Sequence, residues 1–322
     1  MKKTCLLLTS LWVFLSCTPI HQPSLSAAPS SEGLTQDLLF HLLAGEMAGL
    51  QGDFMEAAKH YLKAAYLTRD PRIAQRATQI ALFAGDREMA LKAARRWAAL
   101  APEDPQAHQA LALIELEQGH LKAALQGIEK YLSLSPLPPL KRFMSIAALL
   151  SKTPNRQRAL QVMEEVVRRH PSPEAYLAYG SLALELGRRE EAMKAADKAL
   201  ALHPDMLQAL LLKAQVLSLE DKKKAIAFLQ KAVREHPHAK ELRQAYARLL
   251  IDAGAWEKAL DQFEKLLEEH PDDADALLAA GLIALQLERL DQAEGFFLRL
   301  LKLGKSAAAA YFLGQIAENK KQ

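Results

Sequence analysis

Hydrophobic and small residues recur along the chain from residue 34 onward with a spacing of about 34 positions. Prolines close six units of this pattern, and they stand at Pro102, Pro136, Pro171, Pro204, Pro237 and Pro271. A small residue lies twelve positions before each proline, at Ala90, Ala124, Ala159, Ala192, Ala225 and Ala259. Between these markers the apolar residues follow the spacing of amphipathic helices. The pattern predicts two helices in each unit, and a proline that ends the second because it cannot continue a helix.

A second column of small residues lies about a dozen positions earlier in each unit. Its members are Ala112, Ala147, Gly180, Ala214, Ala247 and Gly281. Small residues at two fixed positions indicate that the helices of a unit pack antiparallel and approach closely there. In this register, units start near residues 38, 71, 105, 140, 173, 207, 240 and 274, and a last amphipathic helix covers about 307–319.

A period of 34 residues with two helices per unit resembles the tetratricopeptide repeat, and the resemblance covers residues 34–322. It implies an all-α fold, a right-handed α-α superhelical solenoid of about eight repeats with a C-terminal capping helix. The abundance of Leu and Ala and the 6% of aromatic residues agree with an all-α class. The segment 134–140 (LSPLPPL) is irregular: it is either a stiffened turn or a bend between a three-repeat and a five-repeat half.

The first residues have the pattern of a leader. Lys2 and Lys3 precede an apolar run from Thr4 to Leu15, which is too short for a permanent membrane span of roughly 20 residues. The following Phe14-Leu15-Ser16-Cys17 resembles a bacterial lipobox. The resemblance implies a lipoprotein signal peptide over 1–16 and lipidation of Cys17. The alternative is an ordinary signal peptide that is cut later, near Ser26-Ala27-Ala28.

Residues 17–33 combine the predicted lipidated Cys with a Pro- and Ser-rich stretch that we interpret as a flexible tether. As a coil, this stretch would span roughly 20–24 Å. Residue 18 is Thr and not Asp, which by the sorting rule of such lipoproteins implies the outer membrane of a Gram-negative cell. We therefore expect a lipid-anchored protein that faces the periplasm, with the solenoid over 34–322.

The composition argues against several classes of chemistry. Only Cys5 and Cys17 are cysteines, so the folded body has no disulfide, thiolate nucleophile or Cys-ligated metal. The 41 Lys and Arg nearly balance the 38 Asp and Glu, which argues against nucleic-acid binding. Four of the ten histidines recur directly before the repeat prolines, as a helix-end feature would: His170, His203, His236 and His270. We expect no catalytic residue, metal, cofactor or small-molecule substrate.

In tetratricopeptide arrays the first helix of each unit, helix A, lines the concave face, and the resemblance implies which of its positions point into the groove. We expect the partner-binding groove to contain Leu42, Glu46, Arg72, Gln75, Arg76, Gln79, Gln109, Lys141, Leu177, Gln215 and Arg248. Amides, a few cations and exposed leucines suit an extended or helical peptide. This mixture predicts a protein partner.

The opening repeats are more distinctive than the others. Residues 68–85 (TRDPRIAQRATQIALFAG), together with Leu38 to Tyr61, resemble proteobacterial outer-membrane tetratricopeptide lipoproteins, some of which are adaptors of periplasmic carboxyl-terminal processing proteases. The resemblance implies a non-catalytic adaptor that recruits such a protease and its cell-wall hydrolase substrates. The alternative is an assembly factor, such as a type IV pilus pilotin or a component of outer-membrane protein assembly. The arginines of this segment are either a contact surface or an ordinary solvated helix face.

Overall fold

The computed structural model describes residues 35–304 and 307–320. These residues form seventeen α-helices. Their bounds are α1 Gln36–Leu50, α2 Phe54–Leu67, α3 Pro71–Phe83, α4 Arg87–Leu100, α5 Pro105–Glu117, α6 Leu121–Leu134, α7 Pro139–Ser151, α8 Arg156–Arg169, α9 Pro173–Glu185, α10 Arg189–Leu202, α11 Leu207–Glu220, α12 Lys222–Glu235, α13 Lys240–Asp252, α14 Trp256–Glu269, α15 Ala274–Gln286, α16 Leu290–Lys302 and α17 Ala307–Asn319. None of these helices is long and apolar enough to cross a membrane. The predicted leader, Cys17 and the tether lie outside the described residues.

The helices form a solenoid of consecutive pairs. Odd-numbered helices are the A helices of the units and even-numbered helices are the B helices, and each helix except α7 packs mainly on its neighbours in the chain. The observed A helices begin within two residues of the predicted unit starts, and α17 occupies the range predicted for the capping helix. The prediction of eight helix pairs and a final helix is confirmed. The chain is an all-α solenoid.

The ends of the helices explain the period of the sequence. Each of the six repeat prolines lies two residues beyond the end of a B helix, as in Pro171 after Arg169. The histidine before four of these prolines is the C-cap residue of α8, α10, α12 or α14, and its backbone N–H donates to the carbonyl four residues earlier. The interpretation of these histidines as a helix-end feature is therefore confirmed.

The turn between helices A and B requires a backbone conformation that favours glycine. Five units place a glycine there with φ between +72° and +87°, at Gly52, Gly85, Gly119, Gly187 and Gly254. In the eighth unit the same place is taken by Glu288, which has φ +58° and is the non-glycine residue with positive φ among the described residues. The left-handed region crowds a side chain against its own carbonyl, so this turn is strained.

The small-residue columns lie where helices approach most closely. All six alanines of the first column have no exposed surface. In the second column, a Cβ atom added at Gly281 would lie 2.6 Å from a ring carbon of Phe297, and one at Gly180 would lie 2.7 Å from Leu212. These distances are far below a van der Waals contact, so the two glycines make room for the neighbouring side chains.

The apolar core runs along the solenoid in three overlapping clusters of buried residues: Ala48–Ile114, Ala112–Val216 and Leu210–Ile316. The middle cluster crosses the irregular join, because Tyr131 and Phe143 on its two sides both belong to it. Within this region α7 packs chiefly on α9 and makes few contacts to α6. The continuous core favours the interpretation of the join as a stiffened turn.

Candidate protein-binding groove

The A helices of the central units line two adjoining clefts. The first, of about 260 Å³, lies across α7, α9 and α11, and the second, of about 330 Å³, lies across α11 and α13. Leu211 and Gln215 of α11 belong to both clefts, so the clefts form one continuous groove. A groove that follows successive helices offers equivalent pockets at regular intervals, which suits a peptide chain better than a compact ligand.

The predicted residues Gln215 and Arg248 lie exposed in the cleft between α11 and α13. Leu177 lines the neighbouring cleft, but only 4% of its surface is exposed, because it packs into the central core. The expectation that Leu177 is one of the exposed leucines of the groove is therefore wrong. It forms the floor of the cleft, and the exposed polar groups around it come from Ser181 and Gln208.

A third cleft, of about 390 Å³, lies at the N-terminal end between α1 and α3. It contains the predicted residues Glu46, Arg76 and Gln79, and its apolar walls include Phe54 and Phe83, whose rings meet edge to face with centroids 4.4 Å apart. The structure thus brings together one carboxylate, one guanidinium and one amide between aromatic walls. The remaining predicted residues lie outside these three clefts: Leu42, Arg72, Gln75, Gln109 and Lys141.

Tyr61 at the floor of the N-terminal cleft connects the two charged residues. Its hydroxyl donates a hydrogen bond to Glu46, and the Arg76 guanidinium lies 5.8 Å from the centroid of its ring. Burial, with a further contribution from Glu46, raises the pKa of Tyr61, so the hydroxyl stays protonated and keeps donating. The arrangement holds Glu46 and Arg76 in place at the mouth of an apolar pocket.

The arginines of the opening segment do not form a single basic patch. Arg72 pairs with Asp70, the N-cap residue of α3, at 2.6 Å, and 86% of its side chain remains exposed. The hydrogen bond from Arg72 is the main cause that lowers the pKa of Asp70. Arg76 instead lies over Tyr61. The solvated-face interpretation therefore fits Arg72, and the contact-surface interpretation fits Arg76.

A further cleft, of about 600 Å³, was not predicted. It lies between the B helices α8 and α10, and its lining includes Glu164, Arg168, Tyr176, Tyr179 and Lys198. Tyr176 and Tyr179 belong to the A helix α9, and both are only half-buried. Burial nevertheless raises the pKa of Tyr179. The signal in the sequence was the placement of two tyrosines opposite the small residues of α10, such as Ala195, which cannot fill the space beside them.

Many charged side chains on the described surface form ordinary ion pairs. Examples are Lys194 with Glu190 at 2.5 Å and Lys213 with Asp197 at 2.6 Å. The two arginines Arg168 and Arg169 hold the pKa of Glu165 at about 2 through hydrogen bonds. Among residues 35–304 and 307–320, no group of three or more His, Cys, Asp and Glu side chains is placed to hold a metal ion.

The comparisons with known proteins agree with the repeat assignment. Residues 150–206, 180–240 and 245–308 match the tetratricopeptide-repeat family model. Over 88 residues the chain is 36% identical to TPR repeat-containing protein PA4667 of Pseudomonas aeruginosa. This stretch makes up 27% of this chain and 15% of that protein. The matched stretch is thus a small part of the length of that relative.

Among solved structures, a tetratricopeptide repeat protein from Parabacteroides merdae is 17% identical, with a TM-score of 0.42, over 88% of this chain and 100% of that chain. YrrB, a TPR protein with an unusual peptide-binding site, is 22% identical, with a TM-score of 0.38, over 70% of this chain and 100% of that chain. At these TM-scores neither overlap carries an argument about function. Residues 150–240 and 245–308 thus match tetratricopeptide repeats, and the helix pairs observed from α1 onward continue the same solenoid architecture on the N-terminal side of that stretch.

Proposed function

We propose that this protein is a non-catalytic adaptor that binds other proteins along the A-helix face of its solenoid. The continuous groove across α7, α9, α11 and α13 carries this proposal, because it presents repeated pockets with exposed amide and guanidinium groups. Tetratricopeptide repeats are typically interaction scaffolds, and stacked repeats create long concave binding surfaces. Glu46 and Arg76 in the N-terminal cleft provide a second place for specific polar contacts.

The finer part of the proposal concerns place and partners. The lipobox at Phe14–Cys17 and the tether support an outer-membrane lipoprotein that faces the periplasm. The opening segment supports recruitment of a carboxyl-terminal processing protease and its cell-wall hydrolase substrates.

Affinity capture of the Cys17-anchored chain from native envelopes, followed by mass spectrometry, tests which proteins it recruits. We expect the protease in near-stoichiometric amount. Recovery of pilus or porin-assembly components would replace the adaptor with an assembly factor.

A matched pair of arginine variants tests whether the N-terminal cleft contacts the captured partner. Arg76 lies in the cleft, whereas Arg72, one helical turn earlier in the same helix, pairs with Asp70 outside it. We expect Arg76→Gln to weaken binding about tenfold, the effect of losing one central interface arginine. Arg72→Gln should leave the affinity unchanged. Equal affinities for both variants and the wild type would exclude the cleft as a contact surface.

A further inference from the structure

Helix α1 exposes a row of large apolar side chains at the N-terminal end of the solenoid. We call the residues Leu39, Phe40, Leu43, Met47 and Leu50 the α1 outer face; they are exposed by 42%, 60%, 56%, 61% and 87%. The opposite side of α1 contacts α2, because a Cβ atom added at Gly45 would lie 2.9 Å from the Tyr61 ring. Most of the α1 outer face therefore points away from the rest of the chain, while the Phe40 ring meets His60 of α2 edge to face with centroids 5.9 Å apart.

The repeat register shows how unusual this exposure is. Gly45 of α1 corresponds to Gly180 of α9, so Phe40, Leu43 and Met47 correspond to Ala175, Ala178 and Leu182. The three residues of α9 are at most 1% exposed, because the preceding unit packs on them. In α1 the same three positions carry large apolar side chains, and no described residue precedes them to form a unit.

The α1 outer face also includes positions that are polar in α9, where the preceding unit does not cover them. Leu39 and Leu50 correspond to Glu174 and Glu185 of α9, which are polar as expected for positions that face solvent within the array. In α1 both positions are leucine, and Leu50 adjoins Phe54 and Phe83 in the N-terminal cleft. Contiguous apolar patches of this size on a protein surface usually mark an interaction site.

The other end of the solenoid provides a contrast. Helix α17 is the only described A helix that no B helix follows. It strongly exposes a single large apolar side chain, that of Tyr311. Ala309 and Ile316 are buried against α16, and the Phe312 ring stacks on Phe297 with centroids 5.1 Å apart. The C-terminal helix thus closes the core, whereas α1 adds an apolar face beyond it.

The chain before Thr35 offers little to cover this face. After the predicted cleavage before Cys17, residues 18–33 contain Ile20 and Leu25 as their large apolar residues, and three prolines stand among them. This stretch supplies no long run of apolar residues. A second copy of the chain supplies one, because it carries the same apolar row on its own α1.

We infer that the α1 outer face is a self-association surface on which α1 of a second copy packs antiparallel. We place a two-fold axis beside Leu43, perpendicular to the helix. Measured along the helix, Phe40 and Met47 of each copy then lie at the same distance, roughly 5 Å, on either side of this two-fold axis. Phe40 of one copy would then meet Met47 of the other, a favourable sulfur–aromatic contact, twice per dimer. One charged side chain adjoins the face: Glu46, one turn from Leu43 and Leu50, lies exposed at its edge. It accepts the hydrogen bond from Tyr61 in the N-terminal cleft, so its carboxylate can stay in solvent when two copies meet.

The area of the face is sufficient for such a dimer. Each of the five half-exposed side chains contributes on the order of 100 Å² of apolar surface, or about 500 Å² per copy. Two copies would bury about 1,000 Å², which meets the minimum area of a biological interface, and the rim around Phe54 adds to this area. The inference does not depend on the proposed adaptor function, since it uses neither the groove nor the identity of its partner.

Cysteine cross-linking tests the inference directly, because Cys5 and Cys17 are the native cysteines. In the full chain, in detergent, with both replaced by Ser, we would compare Leu43→Cys with Leu202→Cys. The two leucines are matched in exposure, at 56% and 55%, and Leu202 lies on α10, far along the chain from α1. We expect a disulfide between two copies for Leu43→Cys under mild oxidation at micromolar concentration, and none for Leu202→Cys.

Sedimentation velocity of the same full chain gives a second readout. We expect a dimer for the unmodified sequence and for Leu202→Glu, and a monomer with unchanged helicity for Leu43→Glu combined with Met47→Glu. A monomer at all concentrations would overturn the inference, as would a dimer that survives the double substitution. A third outcome is a full chain that is monomeric and becomes dimeric only after removal of residues 1–16. In that case the leader competes with the second copy for the face, and the inference fails for the chain that retains its leader.

Discussion

Single positions in this solenoid are constrained mainly by the turn geometry and by close helix contacts. The turn glycines recur because their φ values are positive, and the alanines of the first column recur because they have no exposed surface. These constraints are local and identical from unit to unit, which is why they are readable as a period in the sequence. Departures from them are therefore informative, and two of them lead to predictions.

Glu288 occupies the turn position that is glycine in five other units. We expect Glu288→Gly to raise the free energy of unfolding by about 0.5–1 kcal/mol, because relief of the left-handed strain exceeds the added freedom of the unfolded chain. The reverse change, Gly187→Ala, should lower it by a similar amount, although nothing lies within 4 Å of the added Cβ. Urea unfolding of both variants measures the change in the free energy of unfolding. A lower free energy of unfolding for Glu288→Gly would contradict the claim that this turn is strained.

Gly281 and Gly314 occupy equivalent positions in the last two A helices, but only Gly281 has a B helix packed on it. We expect Gly281→Ala to destabilise the fold by about 1–3 kcal/mol, because its Cβ would overlap the Phe297 ring. Gly314→Ala should instead stabilise it by up to about 1 kcal/mol through helix propensity, since nothing lies within 4 Å of the added Cβ. Thermal unfolding distinguishes them, and equal shifts for both would contradict the packing described for Gly281.

Pairs of helices are held by contacts that the repeat pattern does not specify. The first pair includes a hydrogen bond of 2.9 Å between the Nδ1 atoms of His41 in α1 and His60 in α2. Burial, followed by the charges of His60 and Lys63, lowers the pKa of His41 below its ordinary value of 6.5, against the opposite effect of Asp37. Glu56 lies 3.5 Å from His60 on the other side of the pair.

This pair should make the first unit sensitive to acid. Because the pKa of His41 is lowered in the folded chain, the unfolded chain takes up the proton first, and stability falls as the pH drops through 6.5. We expect the melting temperature to fall less between pH 7.5 and 5.5 in His41→Gln than in the wild type. His238→Gln, at a residue whose side chain is 84% exposed, is the control and should behave as the wild type. If the melting temperature of His41→Gln fell between pH 7.5 and 5.5 by as much as that of the wild type, the His41–His60 pair would not be the cause of the acid sensitivity.

Much of the helix arrangement could be predicted from the sequence, whereas the depth of individual side chains could not. The unit starts and the capping helix follow from prolines and small residues, which act within a helix or between adjacent helices. Leu177 was placed correctly on the A-helix face, but its burial depends on how α9 meets α11. Likewise, the two tyrosines opposite Ala195 indicate where the cleft beside Tyr176 and Tyr179 lies, but its volume depends on the separation of α8 and α10.

At the scale of the whole molecule, the solenoid presents surfaces of different character. The A-helix face carries a continuous groove with polar groups, a cleft of about 600 Å³ opens between α8 and α10, and α1 carries an apolar outer face. Because each unit contacts only its neighbours, such surfaces can bind different molecules independently. This separation fits an adaptor, which has to hold more than one protein at a time.

The central claim is that partners bind along the A-helix face, and site-specific photo-cross-linking in native envelopes tests it most directly. A photoreactive amino acid would replace Arg248 on α13, in the groove, or Arg234 on α12, an exposed position on a B helix. We expect the Arg248 position to give a discrete cross-linked protein, identified by mass spectrometry, and the Arg234 position to give none. Cross-links at Arg234 alone would contradict the account and place the binding surface on the B helices.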